Sequence, residues 1–447
     1  PKEIAMIPSS NVIKRTARSA LKAISAEGLV ADRGPRRVLR FWKTHQTTKN
    51  PCIRSGDAFS TAAFVFPADP KTLDGSIGDQ AMLHVALMKL KEAGATSVDI
   101  MVDGDAGERR ALELGLNPIR MPHLFEYPAF VSELYAVKRY RQAVFMGADV
   151  LDGKYGLGTP VRLLIASDLM FRRGADAIFL GFSFNSKPDP RLARFFDALH
   201  PSIVLNARDA SSLERLRKFT KHTNTRLVAD SAFLLQPGSP EALPPDLLSW
   251  LSTSRSAGHT IVGVNFHPML FKEGEKDQLA SAARNLARVL ASVGPKQNVH
   301  WLLLPHDTRP KDGDHSTLAQ VACELSSLGA PFFFLEQALS AELYKALAMM
   351  TDAIITGRMH LSIASLGSTT PVFCFTYQDK FEGLLKHFGM DGALLSDPSA
   401  LLYDVGNLGP KLDAFIANRE FLRAQIKIRL LDVKALAQQV FSEPSSR

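Results

Sequence analysis

Short apolar runs alternate with segments of helical period along most of the chain. Each run is a few residues long and rich in branched or aromatic side chains, as expected of strands buried on both faces of a parallel sheet. The segments between them repeat apolar residues three and four apart, which is the spacing of a helix face. This alternation predicts an α/β fold. The predicted strands are residues 62–66, 98–102, 143–145, 178–184, 203–205, 227–229, 261–265, 301–304, 332–335, 353–355 and 372–375.

One segment, residues 236–245, interrupts the alternation with four prolines and a glycine. Such a segment is typical of a domain boundary. The βα blocks on its two sides predict two doubly wound, Rossmann-like domains that face each other across a cleft. We therefore divide the chain into a basic N-terminal arm (1–55), an N-terminal domain (56–240), a C-terminal domain (250–418) and a C-terminal helix (419–447). The helix is expected to pack back on the first domain, with a membrane surface as the alternative.

Residues 351–377, TDAIITGRMHLSIASLGSTTPVFCFTY, contain the strongest candidate site. A buried strand turns at Gly357 into a short helix, and Arg358 and His360 lie in its first turn. Cations at this end oppose the helix dipole unless an anion lies between them, and the unpaired N–H groups there attract anions. Ligands of open α/β sheets bind at such strand ends. We interpret Arg358 and His360 as an anion site; the alternative is a surface arginine beside a packed histidine.

Further polar residues follow the predicted strands of the first half. Gly75, Gly78 and Asp79 form a glycine-rich turn before a helix, where a ligand can approach the backbone. The turn is neither a dinucleotide fingerprint nor a Walker loop. Asp149 and Asp152 lie beside glycines after the third strand. They are either a polar site facing the cleft or a pair of aspartates that cap a loop.

Three more residues are candidates for binding. Arg208 repeats the arrangement of Arg358, between a strand end and a helix that Asp209 or Ser211 would cap. His306 and His267 follow strands of the second half. They carry less weight, because a single histidine on an apolar background is more often structural.

Composition narrows the class of protein. The 447 residues are 46% hydrophobic and 22% charged, with a net charge of +8 that favours anionic partners. The sequence lacks the motifs of nucleic-acid-binding domains, so we expect no nucleic acid. Three scattered cysteines favour neither disulfides nor a zinc site. No signal peptide or membrane span is visible, so we expect a cytoplasmic protein, with association at the inner face of a membrane left open.

With these residues assembled, the chain resembles the polysaccharide pyruvyl transferase family over roughly residues 60–390. Its TGRMH at 356–360 is similar to the family's Ser-x-Arg-x-His element, and its GSIGD at 75–79 to Gly-Asn-x-Gly-Asp. ARD at 207–209 is similar to Ser-Arg-Asp, and Tyr377 and Lys380 fall where the family often has Tyr and Lys. Gly357, Ala207 and the segment 147–149 depart from the family pattern, which leaves the acceptor open.

The resemblance implies a GT-B-like fold and transfer of a pyruvate ketal from phosphoenolpyruvate to two hydroxyls of a sugar. Arg208 and Arg358 would hold the carboxylate and phosphate of the donor, and His360 would be a general acid or phosphate ligand. Asp79, Asp149 and Asp152 would act on the sugar hydroxyls. His306, Tyr377 and Lys380, with the glycines of the first turn, would contact substrate.

The expected partners follow from this chemistry. The donor lies on the C-terminal side, and a sugar or lipid-linked oligosaccharide of exopolysaccharide or cell-surface glycan biosynthesis on the N-terminal side. Neither a metal nor a cofactor besides phosphoenolpyruvate is expected, and a homo-oligomer is left open. Two alternatives remain: a GT-B glycosyltransferase that uses a nucleotide-sugar donor, and a non-catalytic sugar- or membrane-binding protein of the same fold.

Overall fold

The computed structural model describes residues 26–47, 61–120, 130–131, 134, 139–271, 276–307, 313–376 and 380–442. Its strands are β1 Ala62–Phe66, β2 Ser97–Val102, β3 Asn117–Arg120, β4 Gln142–Phe145, β5 Asp176–Phe179, β6 Leu205–Ala207, β7 Thr225–Leu227, β8 Thr260–Val264, β9 Val299–Leu303, β10 Phe332–Phe334, β11 Ala353–Thr356, β12 Val372–Phe375 and β13 Leu395–Ser396. Its helices are α1 Ala26–Thr47, α2 Ile77–Glu92, α3 Gly104–Glu113, α4 Gly158–Arg172, α5 Ala193–Phe196, α6 Ala210–Phe219, α7 Pro245–Ser256, α8 Lys276–Gln297, α9 His315–Ser327, α10 Ala341–Met349, α11 Met359–Leu366, α12 Phe381–Lys386, α13 Ala400–Tyr403, α14 Val405–Ala417 and α15 Arg419–Gln438.

The first half is built on a parallel sheet in the order β3-β2-β1-β4-β5. Val65 in the central strand pairs with Ile100 on one side and Val144 on the other. All five residues of β1 are buried, as expected of a strand covered on both faces. Strands β6 and β7 form a separate parallel pair, which a bridge between Phe182 and Ala207 connects to the segment after β5.

The second half is a six-stranded parallel sheet in the order β10-β9-β8-β11-β12-β13. Counted within this half, the order is 3-2-1-4-5-6, that of a doubly wound Rossmann sheet. In both halves the order reverses beside the central strand, between β1 and β4 and between β8 and β11. Ligands of open α/β sheets bind outside the carboxyl ends of strands at these reversals. The predicted fold class, α/β with two Rossmann-like sheets, is confirmed.

Some strand boundaries differ from the prediction. The apolar run 178–184 leaves the sheet after Phe179, and Phe182 and Phe184 are buried in the loop that follows. The predicted strands 203–205 and 227–229 lie at Leu205–Ala207 and Thr225–Leu227. Burial alone produces an apolar run, so hydrophobicity cannot separate a strand from a buried loop that continues it.

The described part of the N-terminal arm is helix α1, which packs on the first half. The Trp42 indole N–H donates to Asp168 at 3.0 Å, and its ring stacks on Phe195 with 6.2 Å between centroids. The weak helical pattern at residues 13–24 lies outside the described residues. A fully buried tryptophan makes α1 part of the folded body.

The C-terminal helix α15 joins both halves. Its buried face packs against the turn Ser231–Leu234 of the first half. On the second half, Arg423 Nη2 donates to the carbonyl of Asp352 at 2.9 Å. The buried residues of the helix are Leu422, Ile426, Leu430, Val433 and Ala437. Within the described ranges, no helix is both long and apolar enough to cross a bilayer.

Candidate active site

A cavity of about 500 Å³ lies between the two halves, at the reversal of strand order in each sheet. From the first half it is lined by the start of α2, which carries Gly78 and Asp79, and by the loop after β4, which carries Asp149. From the second half it is lined by the start of α11. The halves touch here through a backbone bridge between Ser76 and Asp307. A ligand in this cavity would therefore contact both sheets.

Helix α11 begins at the cavity because of its local sequence. Thr356 ends β11, and its hydroxyl accepts the backbone N–H of Arg358 at 2.9 Å, which turns the chain out of the sheet. A β-carbon at Gly357 would lie only 2.7 Å from Nε2 of His267, so the turn needs glycine for space. Arg358 is the N-cap, and its side chain makes no capping hydrogen bond. The first N–H groups of α11 have no partner within the helix, and residues 357–360 line the cavity.

The charge of Arg358 is already balanced by the protein, which corrects the expectation that a bound anion must compensate it. Its Nη1 lies 3.0 Å from Asp307 and its Nη2 donates to Asp314 at 2.5 Å. Both carboxylates are buried, and burial raises the pKa of Asp314 against the opposing effect of Arg358. Asp314 also accepts from the side-chain amide of Asn265 and the backbone of His306. The guanidinium is therefore held rigidly at the cavity wall.

Arg208 reaches the same place from the first half and is 3% exposed. It donates to Ser183 and to Asp230, both at 2.7 Å. Its Nη2 lies 3.1 Å from the sulfur of Met359, the residue between Arg358 and His360. Two guanidinium groups from different halves thus converge on the first turn of α11.

His360 crosses the boundary between the halves. Its Nε2 lies 3.7 Å from the Asp230 carboxylate, an ion-pair contact when the ring is protonated. The other ring nitrogen lies against the backbone of Gly78, where a β-carbon would be 2.1 Å away. Burial would raise the pKa of Asp230, but His360 and Arg208 hold it below its ordinary value. Asp230 is therefore an anion that contacts both Arg208 and His360.

Asp79 lies in the first turn of α2, whose N-cap is Ser76. The Ser76 hydroxyl accepts the Asp79 backbone N–H at 3.1 Å and donates to the Asp79 carboxylate at 3.0 Å. Burial raises the pKa of Asp79 to about 6, against the opposing effects of His360 and Ser76. A carboxyl group that titrates close to neutrality is suited to proton transfer.

Lys380 and Asp149 form an ion pair that connects the second half to the loop after β4. Burial would raise the pKa of Asp149, but Lys380 holds it well below the ordinary range. Asp149 lines the cavity as an anion beside Lys380. Its predicted companion Asp152 does not line it: this side chain is buried and accepts the backbone N–H groups of Lys154 at 2.9 Å and Asn185 at 3.2 Å. These contacts support the alternative reading of Asp152 as a loop cap.

The remaining predicted residues lie at different depths. His306 lines the cavity, and His267 lies behind Gly357. Both are buried, and burial together with Arg358 keeps their pKa values well below the ordinary one, which favours the neutral form of each ring. Gly75 lies outside the lining, in a turn where a β-carbon would be 2.6 Å from Thr72.

Tyr377 falls outside the described residues, so its predicted role stays a prediction. The carboxylates that sequence reasoning did not single out include Asp230, Asp307 and Asp314. Asp307 directly follows His306 after a predicted strand, so the pattern of polar residues at strand ends could have identified it. Asp314 precedes α9 after a segment without periodicity, so no pattern identified it. No cluster of metal-ligating side chains occurs in the part of the chain that the structure describes.

Two doubly wound sheets with a site between their strand-order reversals are the architecture of GT-B glycosyltransferases and related epimerases. The UDP-N-acetylglucosamine 2-epimerase of Neisseria meningitidis, solved with UDP-GlcNAc bound, superposes with a TM-score of 0.53 at 11% identity, covering 85% of this chain and 98% of that chain. A glycosyltransferase of Rickettsia africae ESF-5 superposes with a TM-score of 0.51 at 12% identity, covering 86% of this chain and 99% of that chain. At such low identity these proteins share the fold.

A family model described as polysaccharide pyruvyl transferase matches residues 77–379, which is more than half of the chain. The protein therefore belongs to the polysaccharide pyruvyl transferase family, and the resemblance seen in the sequence is confirmed. The matched segment begins in α2 and includes Asp79, Arg208, Arg358 and His360. No curated protein matches the sequence significantly.

Proposed function

We propose that this transferase moves a pyruvate ketal from phosphoenolpyruvate onto two hydroxyls of one sugar and releases phosphate. The observation that carries the proposal is the convergence of Arg208 and Arg358, from different halves, on the first turn of α11 beside His360. Phosphoenolpyruvate has a carboxylate and a phosphate close together. Two fixed guanidinium groups and a helix N-terminus form a complementary set of donors for these anions.

The carboxylates around the arginines fit this role. Asp307, Asp314 and Asp230 hold the guanidinium planes in place, so little side-chain entropy is lost when the donor binds. The same carboxylates offset the positive charge of the two arginines, so the attraction to the donor comes from directed hydrogen bonds rather than from net charge.

The chemistry begins with proton transfer to the methylene carbon of phosphoenolpyruvate, which becomes a methyl group and leaves positive character at C2. One sugar hydroxyl adds to C2 and loses its proton, phosphate leaves with the C–O bond electrons, and the second hydroxyl closes the ketal and loses its proton. His360 is proposed as the general acid or as a phosphate ligand. Asp79, whose pKa is raised to about 6 by burial, is proposed to orient and deprotonate a hydroxyl.

The acceptor is proposed to lie on the side of the first half. The cavity wall there carries Asp79 and Asp149 together with Lys71, Asp103 and Thr159. Carboxylates and hydroxyls of this kind bind sugar hydroxyls. A sugar or a lipid-linked oligosaccharide of exopolysaccharide or cell-surface glycan biosynthesis is the proposed class of acceptor, and the reaction as written needs no cofactor.

Phosphate release tests the proposal. The full chain is mixed with phosphoenolpyruvate and a panel of glycans with neighbouring hydroxyls, and phosphate and ketal are measured together. We expect phosphoenolpyruvate to raise the unfolding temperature and an acceptor to trigger equal amounts of phosphate and ketal. Stabilisation by UDP-sugars with no response to phosphoenolpyruvate would support the glycosyltransferase alternative instead. Binding of phosphoenolpyruvate without turnover on any acceptor would point to a non-catalytic protein.

A further inference from the structure

The C-terminal helix α15 has a second apolar face that no described residue covers. Phe421, Ile428 and Leu431 are 70%, 75% and 77% exposed, and Ala424 and Ala435 are exposed beside them. Of the large hydrophobic side chains that the described residues expose, three of eight lie on this helix. Single exposed hydrophobic residues are normal on a protein surface, whereas a continuous row marks an interaction surface.

The spacing of this row is that of a coiled-coil seam. Positions 421, 424, 428, 431 and 435 alternate steps of three and four residues, the a and d positions of a heptad. At 3.6 residues per turn they fall within an arc of roughly 80° on the side opposite the buried face. A helix that packs on a globular core has a wider apolar stripe, so a narrow seam favours a second helix as its partner.

Two charged residues beside the seam would pair with each other between two copies of the helix. Lys427 occupies a g position, and Asp432 occupies the e position five residues later. In a parallel two-stranded coiled coil, a g residue faces the following e residue of the other helix. Neither side chain has an ion pair or hydrogen bond among the described residues. Two copies of α15 in parallel would thus form two reciprocal Lys427–Asp432 pairs.

We propose that the partner on this face is a second copy of this chain, bound through parallel pairing of α15 about a two-fold axis. A membrane fits less well, because helices that lie on membranes carry basic residues along the borders of the apolar face. Here one border carries Asp432 and the other carries Glu420 as well as Lys427, so an acidic residue lies at each border. The seam covers two heptads, so the dimer is expected to dissociate on dilution rather than be obligate.

Sedimentation velocity of the full chain over a range of concentrations tests the dimer. We expect a monomer–dimer equilibrium for the wild type. Ile428→Lys combined with Leu431→Lys should raise the dissociation constant at least about tenfold, since it places four charges in the seam. Ile428→Ser is the milder variant to use if the lysines reduce folding, as checked by far-UV circular dichroism. Arg429→Glu, an exposed charge reversal away from the seam, should leave the equilibrium unchanged.

Charge exchange tests the parallel orientation. Lys427→Asp alone and Asp432→Lys alone should each weaken the dimer, because like charges then face each other across the seam. The double exchange should restore wild-type affinity, since it re-forms both pairs with reversed sign. A wild type that stays monomeric, a dimer insensitive to Ile428→Lys/Leu431→Lys, or a double exchange without restoration would overturn the proposal. Binding of the monomer to phosphatidylglycerol vesicles through this face, with no dimer, would do so as well.

Discussion

Gly78 and His360 face each other across the boundary between the two halves, so closely that a β-carbon at position 78 would lie 2.1 Å from Nδ1 of the imidazole. Gly78 is in the first turn of α2 and His360 is in the first turn of α11. Their contact brings the start of α2 in the first half against the start of α11 in the second half. The position of the imidazole therefore depends on how the halves dock.

Gly78→Ala should abolish most of the transferase activity by displacing the His360 ring. The overpacked methyl group should also lower the free energy of unfolding by about 1–3 kcal/mol. Gly409→Ala in α14 is the matched control: nothing lies within 4 Å of its β-carbon, and activity should be unchanged. Phosphate release and urea denaturation measure the two effects. Full activity of Gly78→Ala would show that His360 tolerates displacement.

Arg358→Ala should eliminate phosphate release and also destabilise the protein. It leaves Asp307 and Asp314 buried without their cation, for which we expect a loss of about 3–5 kcal/mol at pH 7. The loss should shrink as the pH falls, because burial raises the pKa of Asp314 and favours its neutral form. Adding Asp314→Asn to Arg358→Ala should recover stability but not activity. Arg288→Ala, which breaks an exposed pair with Glu324, should change stability by less than about 1 kcal/mol.

Asp79→Asn should stabilise the protein at pH 8 while reducing activity. The folded-state pKa of about 6 lies above the ordinary value of 3.8, so folding favours the protonated carboxyl. Wild-type stability from this group is greatest below pH 4, falls between pH 4 and 6, and stays at its lower level above. The effect of the substitution on the free energy of unfolding should therefore be about 1–2 kcal/mol more stabilising at pH 8 than at pH 4.

Urea denaturation of wild type and Asp79→Asn at both pH values checks this difference. An equal effect at the two pH values would contradict the raised pKa. Asp246→Asn, at an exposed first-turn aspartate of α7, serves as the activity control and should retain full phosphate release.

Lys345 should make the whole protein more stable as the pH rises. It is buried in α10 and donates to the carbonyls of Phe233 and Leu235, and burial lowers its pKa from 10.5 to about 7. The unfolded chain keeps the proton up to about pH 10, so stability from this group increases between pH 7 and 10. We expect the free energy of unfolding to increase by about 2 kcal/mol between pH 7 and 9.

Chemical denaturation at these two pH values measures the gain. Lys345→Met should remove it, whereas Lys218→Met, at an exposed lysine, should leave it in place. An unchanged gain in Lys345→Met would assign it to another group.

Local sequence patterns were sufficient to predict the fold class, the main strands and the strongest candidate residues. Buried parallel strands produce continuous apolar runs, and Arg358 and His360 follow the end of a strand, where ligands of open α/β sheets bind. These are local signals, carried by neighbours in the chain. The family resemblance rested on the same short segments.

The pairing of charges in the site depends on tertiary contacts that sequence patterns do not show. Asp307 and Asp314 lie 51 and 44 residues before Arg358 in the chain, and Asp230 reaches Arg208 and His360 from another loop. Asp152, which the sequence placed in the site, caps a loop instead. The sequence shows which residues are charged, but an ion pair depends on the distance in space between groups that the packing of separate elements brings together. The raised pKa of Asp79 has the same origin, because burial is a property of the folded chain.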